Sequence, residues 1–161
     1  MEKKLILLTR KVLIVLLVFW MILVFALSNQ NGAKSSALSK KIAEFMCFGN
    51  IEKSEEIEPM IRKITHMVEF GIGAMIFYGI LSTYKRVNII VKIVSTMFFI
   101  AICSGLDEFH QSFIDSRNAS YIDVIIDIAG GMLGTGACYL LNRILKIIDK
   151  TVKEDMQNIN N

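Results

Sequence analysis

Polar sequence of the kind that builds a soluble domain is scarce in this chain. One proline occurs in 161 residues, charged residues make up 20%, and 53% are hydrophobic, for a mean hydropathy of +0.51. That balance excludes an ordinary soluble domain of this length and makes a bilayer the fitting solvent. No stretch between the apolar runs is long enough for a large soluble domain. Cysteine is equally sparse. Cys47, Cys103 and Cys138 lie far apart, which excludes a disulfide framework and metal-type spacing and leaves them as small packing residues. Also missing are a His-Glu-x-x-His helix, a Gly-x-Ser-x-Gly elbow and a phosphate-binding glycine loop, so none of the common hydrolase or nucleotide motifs applies. The formal net charge is only +3 and sits on basic residues flanking the apolar runs. Such a distribution suits anionic lipid headgroups, not nucleic acid.

What is present is four apolar runs, residues 12–27, 64–81, 89–106 and 121–141. Each is close to the ~20 residues that cross a ~30 Å hydrocarbon core. The expected fold is all-α, a polytopic membrane protein with four transmembrane helices in a compact bundle. A single integral membrane domain over residues 1–149 is expected, followed by a polar C-terminal tail, 150–161, that frays. The first run follows Lys3, Lys4, Arg10 and Lys11 and has Ala26 and Ser28 near its end, as a signal peptide would. Its length favours a retained span instead. Beyond it, Leu38, Ile42, Phe45 and Met46 recur at helical spacing among Lys40, Lys41 and Glu44, the pattern of a short interfacial helix in the first outer loop. Pro59 suits the first turn of a helix, so the second long helix is expected to begin near it. The short 84–88 connection makes spans two and three an antiparallel hairpin.

Basic residues orient the chain. Eleven lie at the N-terminus, the 82–92 connection and the C-terminal segment, against seven on the opposite side. Both termini are therefore expected in the cytoplasm. The outer half of the membrane then gathers Ser28, Asn29 and Gln30 after span one, and Arg62, Lys63, His66 and Glu69 at the start of span two. Asp107, Glu108, His110 and Gln111 end span three, and Asp123 and Asp127 open span four. Arg62, His66, Glu69 and Gly73 share one helical face, as do Asp123, Asp127, Gly130 and Gly134. An acid at the centre of a span costs ~2.5 to 3.5 kcal/mol on insertion scales, and such groups usually face a bundle interior or a water-filled cavity. Gly130 and Gly134 form a small-xxx-small pair, read as helix packing. His110 sits at the water boundary, and Trp20, Tyr121 and Tyr139 read as interface or packing aromatics.

Three ordered stretches carry a resemblance. Lys63-x-x-His66-x-x-Glu69-Phe70, then Asp107-Glu108-x-His110-Gln111-x-Phe113 with Arg117, then Ser120-x-x-Asp123-Val124-x-x-Asp127-x-x-Gly130 resemble the motif series of VanZ-like membrane proteins. Ser28-x-Gln30 also fits that pattern, and the likeness runs from about Trp20 to Leu140. The chain departs from it at Asp115-Ser116, where the family often has Pro-Gly before the Arg. The resemblance implies a small bacterial cell-envelope protein with no assigned reaction, in a family named for a protein associated with resistance to the glycopeptide teicoplanin.

The expected site is an outward-facing polar cavity lined by Lys63, His66, Glu69, Asp107, Glu108, His110, Gln111, Arg117, Asp123 and Asp127. Its expected occupant is an envelope molecule such as a lipid-linked or peptidoglycan-related headgroup, with membrane lipids as the other partners. Arg suits bidentate capture of phosphate or carboxylate. The alternative is a membrane-embedded hydrolase. No cofactor is evident, but the His, Asp and Glu residues include enough donors for a divalent metal that could activate water. No catalytic residue is assigned, and whether the protein is an enzyme stays open. A second alternative is a structural scaffold whose polar residues only tie the helices together.

Overall fold

The computed structural model describes residues 2–29, 32–114 and 119–159 of the chain. Gln30, Asp115, Ser116 and Arg117, and the side chain of Leu38, lie outside the described residues. The described residues are all-helical, in the order α1 (Glu2–Ser28), α2 (Gly32–Met46), α3 (Ile51–Ser82), α4 (Ile89–Gln111) and α5 (Tyr121–Ile159). Four of these, all but α2, are long and apolar enough to cross a membrane. Phe19, Phe98, Leu106 and Leu133 are among many large apolar side chains more than 60% exposed. A water-soluble monomer does not carry so much exposed apolar surface, whereas lipid solvates it at no cost.

α3 is the central helix and packs against each of the other four, most extensively against α5. Glycine explains the closeness of that pair. A methyl group added at Gly130 would run into the carbonyl of Met67, and one at Gly134 into the carbonyl of Gly71. The two backbones therefore touch where side chains would hold them apart, as small-residue interfaces in membranes allow. Next to it, Gly131 leaves room for Ile100 of α4, which is fully buried.

Trp20 fixes α1 to this pair. Its indole ring lies where a side chain at Gly73 would be, its Nε1 donates to the backbone carbonyl of Glu69 at 2.9 Å, and its ring meets Phe70 edge-on at 5.7 Å. A buried indole with its N–H satisfied contributes both area and a hydrogen bond. Val24, Ala74 and Ile100 complete the apolar core around it. At the other end of α1, Arg10 Nε donates to Thr83 Oγ1 at 2.9 Å, and the guanidinium lies 3.9 Å from the centre of the Tyr84 ring. α1 is thus tied to α3 at two points along its length.

Two expectations about helix length are corrected. α3 starts at Ile51, not near Pro59, because the Asn50 side chain caps it by accepting from Lys53 N at 3.1 Å and Glu52 supplies an acid in the first turn. Pro59, inside the helix and exposed, removes one backbone bond without ending it. Likewise α5 continues past Asp149 to Ile159, where ion pairs of Lys153 with Asp149 at 2.6 Å and Lys150 with Glu154 at 3.5 Å support the extension. With 32 and 39 residues, α3 and α5 both exceed the ~20 residues of a minimal span. They overhang at opposite ends of the bundle.

The α3 overhang carries α2, whose Ala43 and Ser39 are buried against it while Ile42, Phe45 and Met46 stay exposed. An amphipathic helix beside a membrane end presents its apolar face to lipid in this way. Lys40 Nζ donates to Glu55 Oε1 at 2.8 Å, a bond that raises the Lys40 pKa and lowers that of Glu55. The pair is exposed, so water screens most of its value. Phe48 and Gly49 both take left-handed backbone (φ 51 and 81) to turn the chain from α2 into α3.

Gly134→Val is expected to separate α3 from α5 and to lower stability by at least ~1 to 3 kcal/mol, the usual cost of overpacking. Gly136→Ala meets no atom within 4 Å and serves as the matched control. Thermal unfolding in detergent compares them, and an unchanged midpoint for Gly134→Val would show that the backbones do not touch.

Candidate functional site

The buried face of α4 changes character along its length. Thr96, Ile100, Ser104, Asp107, Glu108 and Gln111 are its buried residues, apolar or self-satisfied at first and polar at the end. Thr96 is self-satisfied because its hydroxyl donates to the Lys92 carbonyl one turn back, at 2.7 Å. Ser104 and Glu108 instead find partners beyond α4, in Asp127 and in the backbone of Ser120.

Asp127 of α5 is 0% exposed. It projects between three helices one turn before Gly130, so the glycine contact that joins α3 to α5 also seals its carboxylate. Ser104 Oγ donates to Asp127 Oδ2 at 2.7 Å, and His66 Nδ1 of α3 lies 3.7 Å from Asp127 Oδ1. The second separation is beyond a hydrogen bond and is an electrostatic contact only. His66 Nδ1, Glu69 Oε1, Glu108 Oε1 and Asp127 Oδ1 are all sealed from solvent. Several carboxyl oxygens thus share a region of low dielectric, where an unsatisfied charge costs several kcal/mol.

Nearer the end of α4, Gln111 Nε2 donates to Asp107 Oδ2 at 2.6 Å across one turn. Glu108, 5% exposed, accepts from Ser120 N at 2.8 Å through Oε2. Ser120 immediately precedes α5, so Glu108 places a carboxylate at that helix's N-terminus, where the backbone dipole favours it. This bond also ties the two ends of the α4–α5 connection together. His110 leans the other way, towards α1, with Nδ1 3.3 Å from Ser28 Oγ and its ring 4.8 Å from that of Phe25.

Of the residues read from the sequence, Asp107, Glu108, Gln111 and Asp127 are buried, and His66, Glu69, His110 and Asp123 are half-buried. Lys63, like its neighbour Arg62, is exposed on α3, and Arg117 lies outside the described residues. Among the described residues, the buried part of the cluster is therefore rich in acceptors and holds no Lys or Arg. Also among the described residues, no three His, Cys, Asp or Glu side chains stand close enough to hold a metal ion. Ser104 is a member that sequence reading missed. Its signal was there, because Ile100, Ser104, Asp107 and Gln111 follow one another at i+4, i+3 and i+4.

The cluster borders an apolar groove of about 400 Å³ between α1 and α4. Trp20, Val24, Phe25, Cys103, Leu106, Phe109 and Phe113 supply its surface, and Asp107 and His110 add titratable walls. A lipid-sized apolar chain in the groove would bring its polar end against those two residues.

A family model described as VanZ/LLP1 matches residues 13–142. The chain belongs to the VanZ/LLP1 family. No curated protein and no solved structure matches it. The VanZ/LLP1 match takes in α1 from residue 13 onward, the whole of α2, α3 and α4, and about the first half of α5, so every polar residue of the cluster lies inside it. Together with the four long apolar helices, the family assigns a multi-pass membrane location.

Ser104→Ala is expected to cost about 1 kcal/mol, the range of one buried hydrogen bond. In an Asp127→Leu background the same change is expected to cost close to nothing. Equilibrium unfolding of the four proteins in mixed detergent gives the coupling directly, and equal costs in both backgrounds would exclude a Ser104–Asp127 bond.

Proposed function

We propose that this VanZ/LLP1 protein binds an amphiphilic molecule of the bacterial cell envelope, with the apolar chain in the α1–α4 groove and the headgroup at the buried polar cluster. The observation that carries this reading is the shared wall: Asp107 and His110 belong both to the groove and to the polar end of the bundle. A scaffold has no need of an open apolar groove leading to its polar ties. The acceptor-rich cluster favours a headgroup that brings N–H or O–H donors, as the sugar and peptide of a lipid-linked wall precursor do. Arg62 and Lys63 would add cationic groups at the rim for a phosphate or carboxylate. Retention of a wall precursor in this way would supply the link to glycopeptide resistance that the family name suggests.

The basic residues favour a cytoplasmic membrane location with both termini inside, which opens the cluster to the outer face. A metal-dependent hydrolase is the weaker reading, given the donor sets described above.

In nanodiscs, the wild-type protein is expected to bind lipid-linked wall precursor saturably. Val24→Trp, which fills the groove, and Glu108→Gln are each expected to weaken binding by about tenfold or more, about 1.4 kcal/mol, with helicity and melting point retained. Metal content is assayed on the same samples. Absence of saturable binding to the wild type would leave the scaffold reading. For orientation, Asp115→Cys in a chain whose native cysteines are replaced is expected to react with an impermeant label from outside the cell. Labelling only from the cytoplasm would invert the arrangement.

A further inference from the structure

At the end of the bundle opposite the polar cluster lies a second cavity, of about 360 Å³, between the end of α3, the start of α4 and the middle of α5. Its chemistry is the reverse of the first. Lys85 from the α3–α4 connection, Lys92 from α4, and Arg143 and Lys146 from α5 all line it, and no acid does among the described residues. Tyr139 and Asn142 add neutral polar groups.

Cations on separate structural elements do not converge without cost. The charges of Lys92 and Lys146 repel one another, and Lys92 is only half-exposed, so water screens that repulsion incompletely. Further along α5, Asp149 is engaged with Lys153 and Glu154 with Lys150. A multivalent anion would relieve the repulsion. Arg143 offers the planar fork that suits two phosphate oxygens, and the lysines add point charges around it.

We infer that this cavity is a binding site for a phosphate group, with the headgroup of an anionic phospholipid as the occupant that its position at a membrane end favours. Leu140, Leu141, Ile144 and Leu145 are exposed on the same stretch of α5, so acyl chains have apolar surface beside the cations. Basic pockets between transmembrane helices recognise anionic headgroups by this combination. Arg143 and Lys146 lie just beyond the residues that the family model matches. The site stands independently of the envelope-ligand reading.

The test uses the full chain in detergent, with lipid retention counted by native mass spectrometry and the melting point followed as lipid is added. Phosphatidylglycerol is expected to be retained, and to raise the melting point, at about tenfold lower concentration than phosphatidylcholine. Arg143→Gln with Lys146→Gln is expected to abolish that preference. Lys150→Gln with Lys153→Gln, an equal charge loss on the same helix outside the cavity, is expected to keep it. Lys92→Gln on α4 is the second variant, should the α5 pair fail to fold, and is expected to weaken retention likewise. Inorganic phosphate is added in a separate arm. If it protects the protein as well as the lipid does, the phosphate site stands and its source is a soluble phosphate. Equal retention of the two lipids without any phosphate effect, or equal loss in the Lys150/Lys153 control, would overturn the inference.

Discussion

The backbone contact between α3 and α5 sets the other distances in this protein. Because Gly130 and Gly134 have no side chains, α5 comes to rest on the carbonyls of Met67 and Gly71. Asp127, one turn earlier, is then carried into the space between α3 and α4, within reach of Ser104 and His66. Were the two helices held apart by even a methyl group, the 3.7 Å between His66 Nδ1 of α3 and the Asp127 carboxylate of α5 would lengthen. Packing and polar chemistry are therefore one arrangement, with the glycines deciding how closely the acids approach.

Placing acids in a bundle is costly, and the fold limits that cost locally. Each buried acid for which a partner is described has a different kind of donor: a hydroxyl for Asp127, a side-chain amide for Asp107, and a backbone N–H at a helix start for Glu108. Such bonds satisfy individual oxygens without neutralising the cluster, which stays rich in acceptors. The groove beside it is apolar and reaches the lipid-facing surface. A bundle that needed only cohesion would be served better by well-packed apolar residues, since buried ionic groups seldom stabilise more than a hydrophobic replacement does.

The architecture was legible because bilayer physics is simple: four apolar runs of span length became four long helices, and the amphipathic stretch around Ile42 and Phe45 became a short fifth. Helix ends were harder to read, since they depend on local caps and pairs. Pro59 marked a start that the Asn50 cap had already made two turns earlier, and the tail after Asp149 drew on side-chain pairs to stay helical. In the site, spacing shows which residues share a face but not which face is covered. One residue step turns a helix by ~100°, so Ile61 is buried while Arg62 and Lys63 beside it are exposed. Ser104 was overlooked because its place on the Asp107–Gln111 face, although legible from spacing, gains weight only with its partner across the bundle, Asp127. The basic cavity was hidden for the same reason, its cations being spread over three elements and read only as flanking charge.

The order in which the helices leave the ribosome gives the α3–α5 pairing a further meaning. α1 and α4 are the most apolar of the four long helices and bury the least, while α3 and α5 are the least apolar and bury the most. The two helices least suited to lipid are thus each other's main neighbour, yet the whole of α4 is synthesised between them. During synthesis α3 has its ionisable residues and an open glycine face before α5 exists, with the Trp20 contact from α1 as the shelter already available. The most extensive contact of α3 therefore forms only once α5 has been made, after the whole of α4.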